Sequence, residues 1–150
     1  MIDNATALRE AATVSFEELG LLCVGAPVEL PSDPAALPAA VCVTFTGPRS
    51  GRLTLRVCDN IFRALAENML GLEGPDAAPW RWDALGEMAN VICGNVLPRL
   101  LGPDSQFTLS PPAPGGPTQY AVTSTQVEVE VEVGRARVVL ELSGPHPALW

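Results

Sequence analysis

The sequence predicts an α+β fold in which long helices pack on one antiparallel sheet. The chain reads as two similar halves, each a helix followed by paired strands. Three observations point there. Residues 4–23 and 83–101 carry apolar side chains at helical spacing. Between and after them lie short β-prone runs joined by turn residues, without the βα alternation of a parallel sheet. And 47% of the 150 residues are apolar, enough to bury a core in one compact domain spanning residues 1–150.

The elements follow in order. In the first helix Leu8, Ala11, Ala12, Ser15, Leu19 and Leu22 fall near one face. A proline-rich connection follows, marked by Pro27, Pro31, Pro34 and Pro38. Ala40–Thr46 and Arg52–Val57 read as strands, and Gly47-Pro-Arg-Ser-Gly51 between them as a hairpin turn. Asp59 is a candidate cap for a helix that runs to Leu70 and ends at Gly71. Trp80 and Trp82 lead into the helix at 83–101, where Pro98 removes one hydrogen bond and tends to bend the last turns. Phe107–Ser110 reads as a strand, and Pro111 to Pro117 as a loop. Tyr120–Val133 and Ala136–Leu142 read as strands that turn near Gly134-Arg135. The run Val127-Glu-Val-Glu-Val-Glu-Val133 alternates as a strand with one wet face does, which places Glu128, Glu130 and Glu132 in solvent.

Composition excludes several functions. A net charge of −8, with nine scattered arginines, argues against nucleic-acid binding. There is no lysine, hence no Schiff-base chemistry and no phosphate-loop lysine. Cys23, Cys42, Cys58 and Cys93 are widely spaced in apolar stretches and read as reduced core residues rather than zinc ligands. The one histidine, His146, lies between prolines and reads as exposed. Neither a signal peptide nor a membrane span is expected, so the expected location is the cytoplasm.

The richest segment is Asp83-Ala-Leu-Gly-Glu87-Met-Ala-Asn90-Val-Ile-Cys-Gly94-Asn95. Asp83, Glu87, Asn90 and Gly94 are spaced by four, three and four, which stacks them on one helical face. Leu85, Met88, Ala89, Ile92 and Val96 fall on the other side and form the packing stripe. Glu87 can accept hydrogen bonds and pair with a cation; Asn90 can donate and accept, and so hold a water in a fixed direction. No His, Cys or Ser stands beside them at triad spacing. Glutamate and asparagine three residues apart are common on solvated faces, but a glycine inside a helix costs about 1 kcal/mol. Gly86 and Gly94 therefore each require a packing or contact reason.

At these residues the sequence resembles the CheX/CheC/FliY chemotaxis phosphatases, and CheX most. That family carries Glu-x-x-Asn, commonly with Asp or Ser at the position of Asp83 and often with Gly-Asn where Gly94 and Asn95 stand. Its pattern also has a later proline, near Pro111 or Pro112. The resemblance implies a phosphatase acting on the aspartyl phosphate of a CheY-like receiver domain. Asn90 would orient the attacking water and Glu87 would pair with the receiver's lysine. Asp83, Gly94 and Asn95 would contact the partner. No cofactor is implied on this chain, since Mg²⁺ belongs to the receiver. In CheC-like relatives both helices can carry the site; here Gly20 takes the asparagine position after Glu17, which implies one site per chain. A receiver-binding or flagellar-switch-like module without activity is the alternative. The resemblance also implies a homodimer that joins its sheets; the short antiparallel strands leave edges for this, with Val127–Val133 or the strand of Val139, Ala136–Leu142, as the candidate junction.

Overall fold

The computed structural model describes residues 3–26, 32–117 and 119–143. Pro27, Pro31 and His146 lie outside them. The elements are α1 (Asn4–Glu18), β1 (Ala39–Thr46), β2 (Gly51–Val57), α2 (Asp59–Leu70), α3 (Arg81–Leu101), β3 (Thr108–Leu109), β4 (Ala113–Pro114), β5 (Thr125–Val131) and β6 (Gly134–Leu142). Short 3₁₀ turns at Pro34–Ala36, Gly74–Asp76 and Ala78–Trp80 connect them. The fold is α+β, with three helices against an antiparallel sheet of order β3-β1-β2-β6-β5; β4 also pairs with β1.

The alternation in each strand aligns across the sheet. Val41, Leu55, Val138 and Val127 form one row by register, and all four are buried. Each such side chain, once buried, contributes about 1.5–3 kcal/mol. The helices cover this face. Helix α1 lies over β5, α3 over β1, and both α1 and α2 pack on α3. Leu85, Met88, Ala89, Ile92 and Val96 of α3 are fully buried there, as their spacing requires.

Several expectations change in detail. Helix α1 begins at a cap, where the Asp3 carboxylate accepts from Thr6 N at 2.7 Å. It ends at Glu18 rather than near residue 23. Gly20 turns the chain there, and Leu21 takes a left-handed φ of 54°. Asp59 is not a cap. Cys58 holds that position without a side-chain bond, and Asp59 pairs with Arg63 one turn on. Gly71 does end α2, at φ 68°. Helix α3 begins two residues earlier than expected, at Arg81, and runs through Pro98 to Leu101 as expected. Strand β5 starts only at Thr125, because the preceding segment turns across the outer face of the sheet. There Ala121 N donates to Glu141 Oε2 at 3.2 Å, and Arg56 donates to Tyr120 and to the Pro117 carbonyl. The β5–β6 turn is at 132–133, just before Gly134.

Glu128 overturns its expected place in solvent: it is 7% exposed. On the outer face it faces Arg137 in the β5–β6 register, with Arg137 Nη2 2.8 Å from its Oε2. Ser32 N and Oγ close the other side, each donating at 2.8 Å. Burial pushes this carboxyl up, but the Arg137 and Ser32 hydrogen bonds outweigh it and hold it below the usual range. Glu141, set against Arg52 and Ala121 N, is held low in the same way. Glu130 and Glu132 are exposed, as expected. The cysteines also divide. Cys93 is buried, and burial pushes its thiol up to about 12. Cys42 and Cys58 are half-buried and Cys23 is exposed, so only Cys93 is a core residue; all four are free.

The order of strands bears on the expected junction. Strand β6 is paired on both sides, with β2 and β5, so Val139 and the rest of Ala136–Leu142 are not at an edge. Strand β5 is an edge. It is covered from Glu128 onward, since Arg9 Nη1 donates to Glu128 O at 3.1 Å, Gly25 N donates to Glu130 O at 2.8 Å and Val24 bridges to Val131, which leaves Thr125–Val127 as the free part.

Candidate functional site

Helix α3 spans 21 residues and presents one open strip. Asp83, Glu87 and Gly94 are exposed along it, with half-buried Asn90 between them. The two helix glycines have different reasons. A Cβ on Gly86 would come within 3.0 Å of Pro112 Cβ, so the missing side chain lets the segment before β4 rest on α3 one turn below Asn90. A Cβ on Gly94 would meet nothing within 4 Å, so that position is open. Pro98 lacks the N–H that would bond the Gly94 carbonyl, which leaves this acceptor without its helical partner on the open strip.

Three described side chains, Arg49, Arg81 and Asn90, keep a buried polar atom without a partner, and Asn90 is the one of them on the open strip. Its Oδ1 is shut from solvent and accepts no hydrogen bond. A buried acceptor left unpaired costs about 1–3 kcal/mol, and such groups call for a reason. Among the described residues neither Asp83 nor Glu87 makes an ion pair or a side-chain hydrogen bond. The strip therefore holds two free carboxylates and one unsatisfied carboxamide. Asn95 differs from these. Its Nδ2 donates to Ser15 Oγ at 3.1 Å, and Ser15 donates to Ala11 O, which ties α3 to α1.

The strip has a neighbour that periodicity along α3 could not reveal. Leu19, Met69, Leu70 and Trp80 line a groove of about 390 Å³ with Asp83 and Glu87 at its rim. These side chains come from the ends of α1 and α2 and from the turn before α3. The only sequence signal was Trp80, an aromatic residue just ahead of the helix. Among the described residues no three His, Cys, Asp or Glu side chains come together as a metal-binding group. No helix there is long and apolar enough to cross a membrane.

The family model described as chemotaxis phosphatase CheX matches residues 39–142. The chain belongs to the CheX family. The match runs from β1 through β6 and contains all of α3. Among solved structures, this CheX-family chain is similar to CheX in the CheX–CheY–BeF₃–Mg²⁺ complex from Borrelia burgdorferi. Identity is 19% over 96% of this chain and 100% of that one, with a TM-score of 0.73. It is also similar to the chemotaxis protein CheX from Desulfovibrio desulfuricans, with 19% identity over 95% of this chain and 100% of that one, TM-score 0.70. A CheC-like superfamily protein from Shewanella sp. PV-4 shows 17% identity over 96% of this chain and 99% of that one, TM-score 0.70. These likenesses establish a shared fold. No curated protein matches the sequence.

Proposed function

We propose that this CheX-family chain is a phosphatase that removes phosphate from the aspartyl phosphate of a CheY-type receiver domain. The observation that carries the reading is the unsatisfied Asn90 carboxamide, one turn from the unpaired Glu87 on an exposed helical strip. Membership in a family of chemotaxis phosphatases supports it, as does the CheY bound to the similar Borrelia protein.

The chain's own residues have two tasks. Glu87 pairs with a cationic side chain of the receiver and sets the docking register. Asp83, one turn earlier, adds negative charge on the same face. Asn90 then turns its carboxamide so that Oδ1 gains the donor it lacks, and the attacking water is that donor. Held this way, the water lies in line with the phosphorus–oxygen bond. Phosphoryl transfer needs little covalent help, so positioning can be the whole contribution. The receiver brings the phosphoaspartate and its Mg²⁺, which offsets charge on the transferring group. Gly94, where a side chain would meet nothing within 4 Å, lies where the partner surface comes close, so Gly94→Leu should block docking while the helix stays folded. Asn95 supports this surface from behind through Ser15.

Phosphate loss from labelled CheY-type receivers, timed with and without this protein, tests the reading. Acceleration supports it. Binding with no change in phosphate lifetime would instead identify a receiver-binding module without activity. We further propose that the chain acts as a homodimer joined along the free part of the β5 edge, where backbone groups await a partner strand. Sedimentation at micromolar concentration checks this, and a monomer there rules it out.

A further inference from the structure

We infer that the groove between the ends of α1, α2 and α3 is a second contact for the same partner. It seats one apolar side chain of the docked receiver beside the cation that Glu87 holds. This rests on the receiver-docking reading above and adds to it a determinant of which receiver is chosen.

Three observations converge. The groove is apolar along its walls, from Leu19, Met69, Leu70 and Trp80, yet its rim is Asp83 and Glu87. A surface docked on Glu87 therefore covers the groove as well. Second, six large apolar side chains are exposed among the described residues, and two of them, Leu70 at 46% and Trp80 at 48%, stand in this groove. Exposed apolar surface gathered beside charged groups marks an interaction site more than scattered leucines do. Third, the chain beside it is strained. Leu21 has φ 54°, which a leucine rarely adopts, and is 63% exposed. It follows Gly20, whose carbonyl is held by Asn68 Nδ2 at 2.9 Å, one residue before groove-lining Met69.

Size and charge select the occupant. A volume near 390 Å³ is at the small end for ligand sites, and the only charged or polar side chains lining it are the Asp83 and Glu87 carboxylates. A single leucine, methionine or aromatic side chain suits it better. A second copy of this chain is disfavoured, because a protein of net charge −8 would be docking onto two free carboxylates. A receiver that carries a cation next to an apolar residue satisfies the rim and the walls together.

The test uses the full chain, wild type and three variants: Leu70→Ser, Trp80→Ala and the conservative Trp80→Phe. Affinity is measured for CheY-type receivers of the same organism charged with beryllofluoride and Mg²⁺, and KM and kcat for phosphate loss from the same receivers. Leu70 and Trp80 are exposed, and circular dichroism melts confirm folding. The expected result is about a tenfold loss of affinity and rise in KM for Leu70→Ser and Trp80→Ala. Unchanged kcat and near wild-type behaviour for Trp80→Phe complete it. Unchanged affinity in both truncations, with wild type active, overturns the groove while leaving the phosphatase reading intact. A fall in kcat alone overturns it too, as does a change confined to self-association. If wild type binds and dephosphorylates none of these receivers, the underlying reading fails and the groove assignment falls with it.

Discussion

Helix α1 carries Glu17 three residues before Gly20, and α3 carries Glu87 three residues before Asn90. Both helices pack on the same face of the sheet and on each other. Their acidic residues are nonetheless used differently. Glu17 Oε2 accepts from Val24 N at 3.1 Å and so closes the turn that follows its own helix. Glu87 has no such partner. Position 20 is closed as well: a Cβ there would meet Phe16 O at 2.8 Å, Leu65 Cδ2 at 2.9 Å and Met88 Cε at 3.1 Å. At position 90 the carboxamide has a place, although its oxygen has no bond. A glutamate on a helix is available to a partner only where the next turn leaves its carboxylate unclaimed. The packing at position 20 is a second reason, beside the missing amide, to expect one site per chain.

The largest effect expected on this contrast is at Asn90. Asn90→Ala should lower receiver dephosphorylation on the order of a hundredfold or more, since misplacing a reacting group costs about that much. Its melting temperature should hold or rise slightly, because the substitution removes an unpaired acceptor and adds the best helix former. Phosphoaspartate decay and a thermal melt check both halves of the statement; full activity would remove Asn90 from the chemistry.

Glu87→Ala should weaken binding of a beryllofluoride-charged receiver by about 2–5 kcal/mol, the cost of leaving a docked cation unpaired. Glu17→Ala should leave that binding unchanged. Calorimetric titration of the two variants side by side sharpens the comparison, and equal losses would break it.

Gly20→Asn restores the Glu-x-x-Asn spacing across the end of α1. It should destabilise the fold by about 1–3 kcal/mol through overpacking and yield no second site. Denaturant unfolding and the stoichiometry of receiver binding read the two outcomes. Two receivers bound per chain would show that α1 can be opened.

The smallest effect concerns the tie between the helices. Asn95→Ala and Ser15→Ala should each cost about 1 kcal/mol of stability. In a double-mutant cycle they should couple, because Asn95 donates to Ser15 Oγ. Additive losses would mean that the bond contributes little.

Much of this was legible in the chain. The 83–101 periodicity separates the buried stripe from the open strip because a helix turns by the same angle at every residue. Gly86 and Gly94 announced themselves as costly positions, and Pro112 proved to be the neighbour that Gly86 admits. Where the reading went astray, the deciding neighbour was distant in sequence. Glu128 alternates with valines as a wet-face residue does, but Ser32 and Arg137 close over it. Val139 reads like any strand residue, and only the order of strands places it in the interior of the sheet. Leu19 and Leu22 continue the period of α1, yet the helix ends at Glu18 and Leu21 turns to a left-handed φ, just after a glycine whose missing side chain admits Leu65 and Met88.

The sequence by itself determined the classes of element, the open strip of α3, and the presence there of a carboxylate and a carboxamide one turn apart. Spacing decides these things, and spacing is local. Only the tertiary structure decided that Asn90 Oδ1 lacks a partner, that Asn95 faces Ser15, that Glu17 is claimed by Val24, and that Leu19, Met69, Leu70 and Trp80 meet beside Glu87. Each of these depends on which groups the fold brings within a few ångströms. No pattern along the chain encodes that distance, because the groups arrive from separate helices and strands.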